Sequence, residues 1–121
     1  MNFTLRFPTE IIFGRDCIDQ IGKKTREYGS KVFLVTGRSA MKKSGITDKI
    51  IDSLKKSSIK DIYLYDQAEH DPSVKTVDDG VKLAKDGRYD VVIGVGGGSA
   101  MDTAKTIASL VKNDGSAADY Q

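Results

Sequence analysis

The residues of this chain best suited to chemistry are the glycines of Gly94–Ser99, which reads Gly-Val-Gly-Gly-Gly-Ser. The segment closes an apolar run and directly precedes a stretch with helical spacing. Glycine allows positive φ angles and a close approach to a ligand, and a helix N-terminus offers unused backbone N–H groups to an anion. A phosphate or pyrophosphate is therefore the expected ligand. A plain tight turn between a strand and a helix is the competing interpretation.

The loop is closer to the dinucleotide-binding motif than to the Walker A motif, and the polar residues that follow it allow two interpretations. Gly94, Gly96 and Ser99 fit the dinucleotide pattern G-x-G-x-x-G with serine in the third place, and no Gly-Lys-Ser/Thr of a Walker A loop occurs. Asp102 lies three residues after Ser99, which is a capping-box spacing, and Lys105 follows Asp102 by three. The two charged side chains either cap the helix and pair with each other, or both face a bound cofactor.

The elements that must position this loop follow a regular alternation. Short apolar runs alternate with stretches whose apolar residues recur at helical spacing, which predicts an α/β fold with a doubly wound parallel sheet. The predicted buried strands are Val32–Val35, Asp61–Tyr65 and Asp90–Val95. The loop then lies at the carboxyl end of the third strand, where ligands of open α/β sheets bind.

The N-terminal residues predict a separate β-hairpin. Phe3, Leu5 and Phe7 alternate with polar residues, and Ile11–Phe13 follow after Pro8. An apolar edge strand is a template for pairing with another chain, so we expect a homodimer through this hairpin.

Composition excludes several classes of function. The chain has 121 residues, one Cys and one His, so neither an internal disulfide nor a zinc site built from Cys and His fits, and we assign no catalytic or metal-binding residue. The 19 basic and 17 acidic residues are scattered, which argues against nucleic-acid binding. No apolar run approaches the roughly 20 residues of a membrane span, and no signal peptide precedes the hairpin. We therefore expect one cytoplasmic domain over residues 1–121.

The run Gly96–Lys105, GGGSAMDTAK, resembles the signature of the iron-type (group III) alcohol dehydrogenases. The resemblance implies a Rossmann-like, N-terminal NAD(P)-binding domain, truncated before the all-helical metal-binding domain of the family. It also implies that the loop holds the cofactor pyrophosphate, with Asp102 and Lys105 near the cofactor. The implied pyrophosphate-binding residues are Gly96, Gly97, Gly98 and Ser99.

The resemblance also bears on which nicotinamide dinucleotide binds. Family members often carry an acidic residue after Val-Thr at the end of the first core strand, where it binds the adenosine ribose. Here Thr36 is followed by Gly37, Arg38 and Ser39. An acidic side chain repels a 2′-phosphate, whereas a nearby arginine accommodates it. These three residues are therefore assigned to cofactor binding, and NADP is favoured over NAD.

The activity that the resemblance implies belongs to a complete enzyme. Such an enzyme transfers hydride between an alcohol or aldehyde and NAD(P), and its second domain binds Fe²⁺ or Zn²⁺ through one Asp and three His. We expect the present chain alone to be inactive. The alternative is a non-enzymatic module that binds a nucleotide or phosphate. The sequence does not indicate which alcohol is the substrate.

Overall fold

The computed structural model describes residues 2, 9–38, 43–68 and 73–112. A short 3₁₀ helix, Cys17–Gln20, leads directly into the first α-helix. The elements in chain order are α1 (Ile21–Arg26), β1 (Lys31–Gly37), α2 (Ile46–Lys56), β2 (Asp61–Ala68), α3 (Val74–Asp86), β3 (Val91–Val95) and α4 (Gly98–Leu110).

The three strands form a parallel sheet in the order β2-β1-β3. The central strand β1 is buried from Val32 to Thr36, as its continuous apolar run predicts for a strand covered on both faces. The strand β2 extends to Ala68, three residues beyond the predicted end at Tyr65. Its last pairing, Gly37 with Ala68, follows an irregularity in the register with β1.

Each face of the sheet carries its own apolar core. Val32 and Leu34 of β1 point to the face covered by α2, and Phe33 and Val35 point to the opposite face, because successive side chains of a strand alternate. The first core is completed by Ile50, Leu54 and Ile59. The second is completed by Tyr65 and Ala68 of β2 and by buried residues of α3 and α4, among them Val77, Val81, Ala104 and Ile107.

The path of the chain makes the sheet doubly wound, which confirms the predicted fold class. From β1 the chain passes through α2 on one face to β2 at one edge. It then returns across β1, through α3 on the other face, to β3 at the opposite edge. The direction of winding therefore reverses between β1 and β3, and at such a point the carboxyl ends of the strands border a crevice.

The N-terminal hairpin prediction is wrong where it can be compared with the structure. Ile11–Phe13 form no strand, and the side chains of Ile11 and Phe13 are exposed, at 83% and 98%. The segment is held to α1 instead, because the Glu10 carboxylate lies 2.7 Å from the Lys24 ammonium. The first half of the predicted hairpin, with Phe3, Leu5 and Phe7, lies outside the described residues. Dimerisation through it stays a prediction.

Candidate functional site

The carboxyl ends of β1 and β3 lie side by side in the sheet. Thr36 pairs with Val95, so Gly37 and Gly96 are the next residues on two neighbouring strands. Among the described residues, a Cβ atom on Gly37 would have only the Ala68 carbonyl oxygen near it, at 3.9 Å. The described residues at the end of β1 therefore leave room for a ligand beside the glycine loop.

The loop between β3 and α4 has the backbone geometry of an anion site. Gly96 has a φ of 137°, a conformation that residues with a side chain rarely adopt. Gly97 is the N-cap of α4, with φ −79° and ψ −168°, and as a glycine it has no side chain to cap the helix. The first backbone hydrogen bond of α4 runs from Met101 N–H to Gly97 O, at 3.1 Å. The helix itself provides no acceptor for the N–H groups of Gly97 and Gly98, which lie at the positive end of its dipole.

Two of the loop glycines face open space. Within the described part of the chain, a Cβ atom on Gly97 or on Gly98 would meet no atom within 4 Å, and both residues are exposed. No described side chain therefore requires glycine at these two positions, whereas a ligand lying directly on the backbone would. The open cradle and the unused N–H groups fit the pyrophosphate of a dinucleotide.

The structure corrects the capping interpretation of Ser99, Asp102 and Lys105. The helix begins at Gly98, so Ser99 lies inside the first turn and is not the N-cap. Its carbonyl oxygen accepts a hydrogen bond from Thr103 Oγ1 at 2.7 Å. Asp102 and Lys105 are both exposed, and the ion pairs between described residues do not include one between them. Their side chains are therefore available to a ligand.

The three residues after Thr36 are only partly described. Gly37 is half-buried at the end of β1, and Arg38 is exposed directly after it. The structure thus brings Gly37 to the glycine loop and leaves the Arg38 guanidinium in solvent at the same end of the sheet. Ser39 lies outside the described residues.

Sequence comparison identifies the wider group to which this fold belongs. The sequence model of the iron-containing alcohol dehydrogenases matches residues 8–121. The chain belongs to the iron-containing alcohol dehydrogenase family.

Named relatives of this family differ in substrate and are much longer than the chain. NADH-dependent butanol dehydrogenase B of Clostridium acetobutylicum is 43% identical over 115 residues, which are 95% of this chain and 29% of the relative. An iron-containing alcohol dehydrogenase of Thermotoga maritima superimposes with a TM-score of 0.88 at 33% identity, over 98% of this chain and 33% of that one. Sulfoacetaldehyde reductase of Bifidobacterium kashiwanohense, solved in complex with NAD⁺, gives 0.83 at 26% identity, over 99% and 31%. The chain thus spans about a third or less of these relatives.

The iron of the iron-containing alcohol dehydrogenases finds no ligand set in the described residues. Within 9–38, 43–68 and 73–112, no three His, Cys, Asp or Glu side chains are placed to hold a metal ion together. The thiol of Cys17 is half-buried and donates a long hydrogen bond to Ile12 O, at 3.8 Å. His70 lies outside the described residues. The residues that the structure describes therefore do not fit a metal centre.

A polar cluster that the sequence did not reveal lies at the opposite end of the sheet. The Asp90 carboxylate accepts a hydrogen bond from Lys31 N–H at 2.9 Å, and Lys31 Nζ lies 3.5 Å from the Asp61 carboxylate. Burial raises the pKa of the Tyr89 phenol above its ordinary value of 10.0, and the nearby charge of Asp61 raises it further. These contacts join the amino ends of the strands and serve the fold.

Within the described part of the chain, no helix is both long and apolar enough to cross a membrane.

Proposed function

We propose that this chain binds a nicotinamide dinucleotide at the loop Gly96–Ser99, as the cofactor-binding part of an iron-containing alcohol dehydrogenase. The observation that carries the proposal is the N-terminus of α4, where glycine is the N-cap and no atom of the described residues covers Gly97 or Gly98, next to the carboxyl end of β1. The NAD⁺ complex of the related sulfoacetaldehyde reductase supports it. The bound cofactor supplies or accepts hydride, and the chain holds and orients it.

Each part of the site has a separate task in this proposal. The N–H groups of Gly97 and Gly98 donate hydrogen bonds to the pyrophosphate, whose negative charge the dipole of α4 stabilises. The end of β1 at Gly37 accommodates the adenosine ribose. The exposed side chains of Asp102 and Lys105 adjoin the cofactor from α4.

The same end of β1 favours NADPH over NADH in our proposal. Gly37 offers no carboxylate to repel a 2′-phosphate, and the exposed Arg38 follows it directly. The substitution Gly37→Asp tests this, because a Cβ atom there has space, with its nearest contact at 3.9 Å. We expect it to lower the NADPH/NADH affinity ratio by about tenfold, or 1.4 kcal/mol. An unchanged ratio would contradict the assignment of the ribose to this position.

We further propose that binding and turnover are separable in this chain. The complete enzyme transfers hydride between an alcohol or aldehyde and the nicotinamide, and the metal ion of the family would supply Lewis-acid chemistry there. In this proposal the chain holds the cofactor without reducing an aldehyde by itself. The second candidate, a non-enzymatic nucleotide-binding module, rests on the same observation. Turnover of an alcohol with NADP by the purified 121-residue protein would refute the separation of binding from turnover, and it would also refute the non-enzymatic module.

A fluorescence titration with NADPH tests the binding proposal directly. We expect a saturable change for the natural sequence and binding at least about tenfold weaker for Gly97→Leu, because the new side chain fills the cradle. The backbone of Gly97 is extended, so any residue fits there without strain. Lys55→Ala, an exposed change on α2 far along the chain from the loop, is the control. No binding at millimolar NADPH would contradict the proposal.

A further inference from the structure

The helix that carries the proposed cradle lies directly on bare strand backbone. Gly94 is in β3, and a Cβ atom on it would lie only 2.6 Å from the Cβ atom of Ala104. The same atom would lie 3.5 Å from Ala100 O and 3.5 Å from Met101 Cα. These three residues of α4 span one helical turn on its sheet-facing side. Only glycine at position 94 allows this separation between β3 and α4.

A second glycine, Gly80 of α3, packs against α4 nearer the C-terminal end of that helix. A Cβ atom on Gly80 of α3 would lie 2.5 Å from Ile107 Cδ1 and 3.0 Å from Tyr65 Cε1. Ile107 is completely buried, and Gly80 is buried too. In this contact the nearest atom is the end of a flexible side chain, whereas at Gly94 it is the Cβ atom fixed to the helix backbone.

The contact at Gly94 lies close to the proposed ligand site. Ala104 lies about 9 Å along the helix axis from Gly98, at about 1.5 Å per residue. A methyl group at position 94 would need a separation of about 3.6 Å where 2.6 Å exists, so α4 must move away from the sheet by about 1 Å. Hydrogen bonds from the loop N–H groups to a phosphate tolerate only a few tenths of an ångström. The cradle would no longer match a dinucleotide whose ribose lies at the end of β1.

We infer that Gly94 is a positioning residue for the dinucleotide, which sets the distance between the N-terminus of α4 and the carboxyl end of β1 without touching the ligand. Glycine has the same packing role between a helix and a strand in other dinucleotide-binding units. The inference rests on the proposed function, because it concerns the same loop. It adds that cofactor affinity depends on the Gly94–Ala104 contact.

The experiment measures NADPH affinity and urea unfolding for a compensating set of variants of the 121-residue chain. Urea unfolding first shows whether Gly94→Ala is folded in the absence of urea. For the folded variant we expect NADPH binding weaker by about tenfold or more. Adding Ala104→Gly removes the opposing Cβ atom, so the double variant Gly94→Ala/Ala104→Gly should regain affinity to within about threefold of the natural chain. Gly80→Ala is the matched control, because it crowds α4 at Ile107 and leaves the contact at position 94 intact. We expect it to lower stability with little change in affinity.

Each outcome decides for or against the inference. Equal NADPH affinity of Gly94→Ala and the natural chain would overturn it, as would an equal loss in Gly80→Ala or a folded double variant that fails to regain affinity. If Gly94→Ala does not fold, Ala104→Ser replaces it, because it adds a single atom at the same contact. A several-fold loss in that variant supports the inference, and unchanged affinity overturns it. Failure of the natural chain to bind either NADPH or NADH would instead refute the proposed function.

Discussion

Replacing Gly98 by alanine should strengthen the fold and weaken cofactor binding at the same time. Gly98 is the first residue of α4, its φ is not positive, and an added Cβ atom would meet no atom of the described residues within 4 Å. Alanine in a helix is more stable than glycine by about 0.5–1 kcal/mol, because glycine loses more backbone freedom on folding. At the helix start we expect the lower end, about 0.5 kcal/mol. The same methyl group occupies the space in which the pyrophosphate would approach the backbone.

Two titrations under one set of conditions separate these effects. Urea unfolding followed by circular dichroism should show a higher midpoint at an unchanged slope. A fluorescence titration with NADPH should show binding at least about tenfold weaker, which corresponds to 1.4 kcal/mol. Lys55→Ala on α2 is the control for helix propensity away from the cradle, and it should leave NADPH binding unchanged. Unchanged affinity in Gly98→Ala would refute the placement of the ligand on this loop, and lower stability would refute the assignment of Gly98 to the helix.

Three further predictions concern contacts away from the loop. Thr47→Val should raise the free energy of unfolding by about 1 kcal/mol, because the buried Thr47 hydroxyl has no hydrogen-bond partner within the described part of the chain. The natural chain should lose stability as pH rises above 10.0, and Tyr89→Phe should abolish this loss. The folded-state pKa of Tyr89 is raised, first by burial and then by Asp61, so its contribution is complete below that pH and is lost as pH climbs through the folded-state pKa. Asp90→Ala should lower stability by about 1 kcal/mol, because its carboxylate accepts hydrogen bonds from two backbone N–H groups before and at the start of β1.

Urea midpoints measure all three changes, each against a matched variant. For Thr47→Val the comparison is Thr103→Val. The Thr103 hydroxyl donates a hydrogen bond, so its removal should lower the free energy of unfolding. For Tyr89→Phe the observable is the difference in stability from the natural chain between pH 9 and pH 11, and a constant difference would count against the linkage. For Asp90→Ala the control is the exposed Asp86→Ala, and equal effects would show that the backbone contacts contribute nothing.

The strands and helices of the described residues could largely be predicted because local patterns and tertiary burial agree. Val32–Val35 form a continuous apolar run, and the central position of β1 buries it on both faces. The end of β2 could not be predicted, because residues after Tyr65 are polar and the strand continues only through an irregular pairing of Gly37 with Ala68. The strand predicted at Ile11–Phe13 is wrong because an apolar run alone does not ensure burial: these residues form no strand, and the side chains of Ile11 and Phe13 are exposed.

The glycine loop lies between a strand and a helix, as the sequence predicts, but the residue at which the helix begins needed the structure. Three consecutive glycines before a serine do not indicate at which residue the helix begins. The sequence therefore suggested Ser99 as the cap, whereas the N-cap in the structure is Gly97. The packing role of Gly94 depends on the approach of Ala104, which no local pattern reveals. The contact between Asp90 and the start of β1 joins residues far apart in sequence and depends on strand order alone.

Amide chemical shifts recorded during an NADPH titration test the central claim most directly. In a ¹H–¹⁵N spectrum of the 121-residue chain, we predict that NADPH shifts the amides of Gly96, Gly97 and Gly98 first and furthest, followed by Gly37 across the crevice. The amide of Lys31, at the opposite end of the sheet, should stay in place. Saturable shifts confined to these glycines are the predicted result. No shifts at millimolar NADPH, or shifts centred elsewhere, would contradict the account.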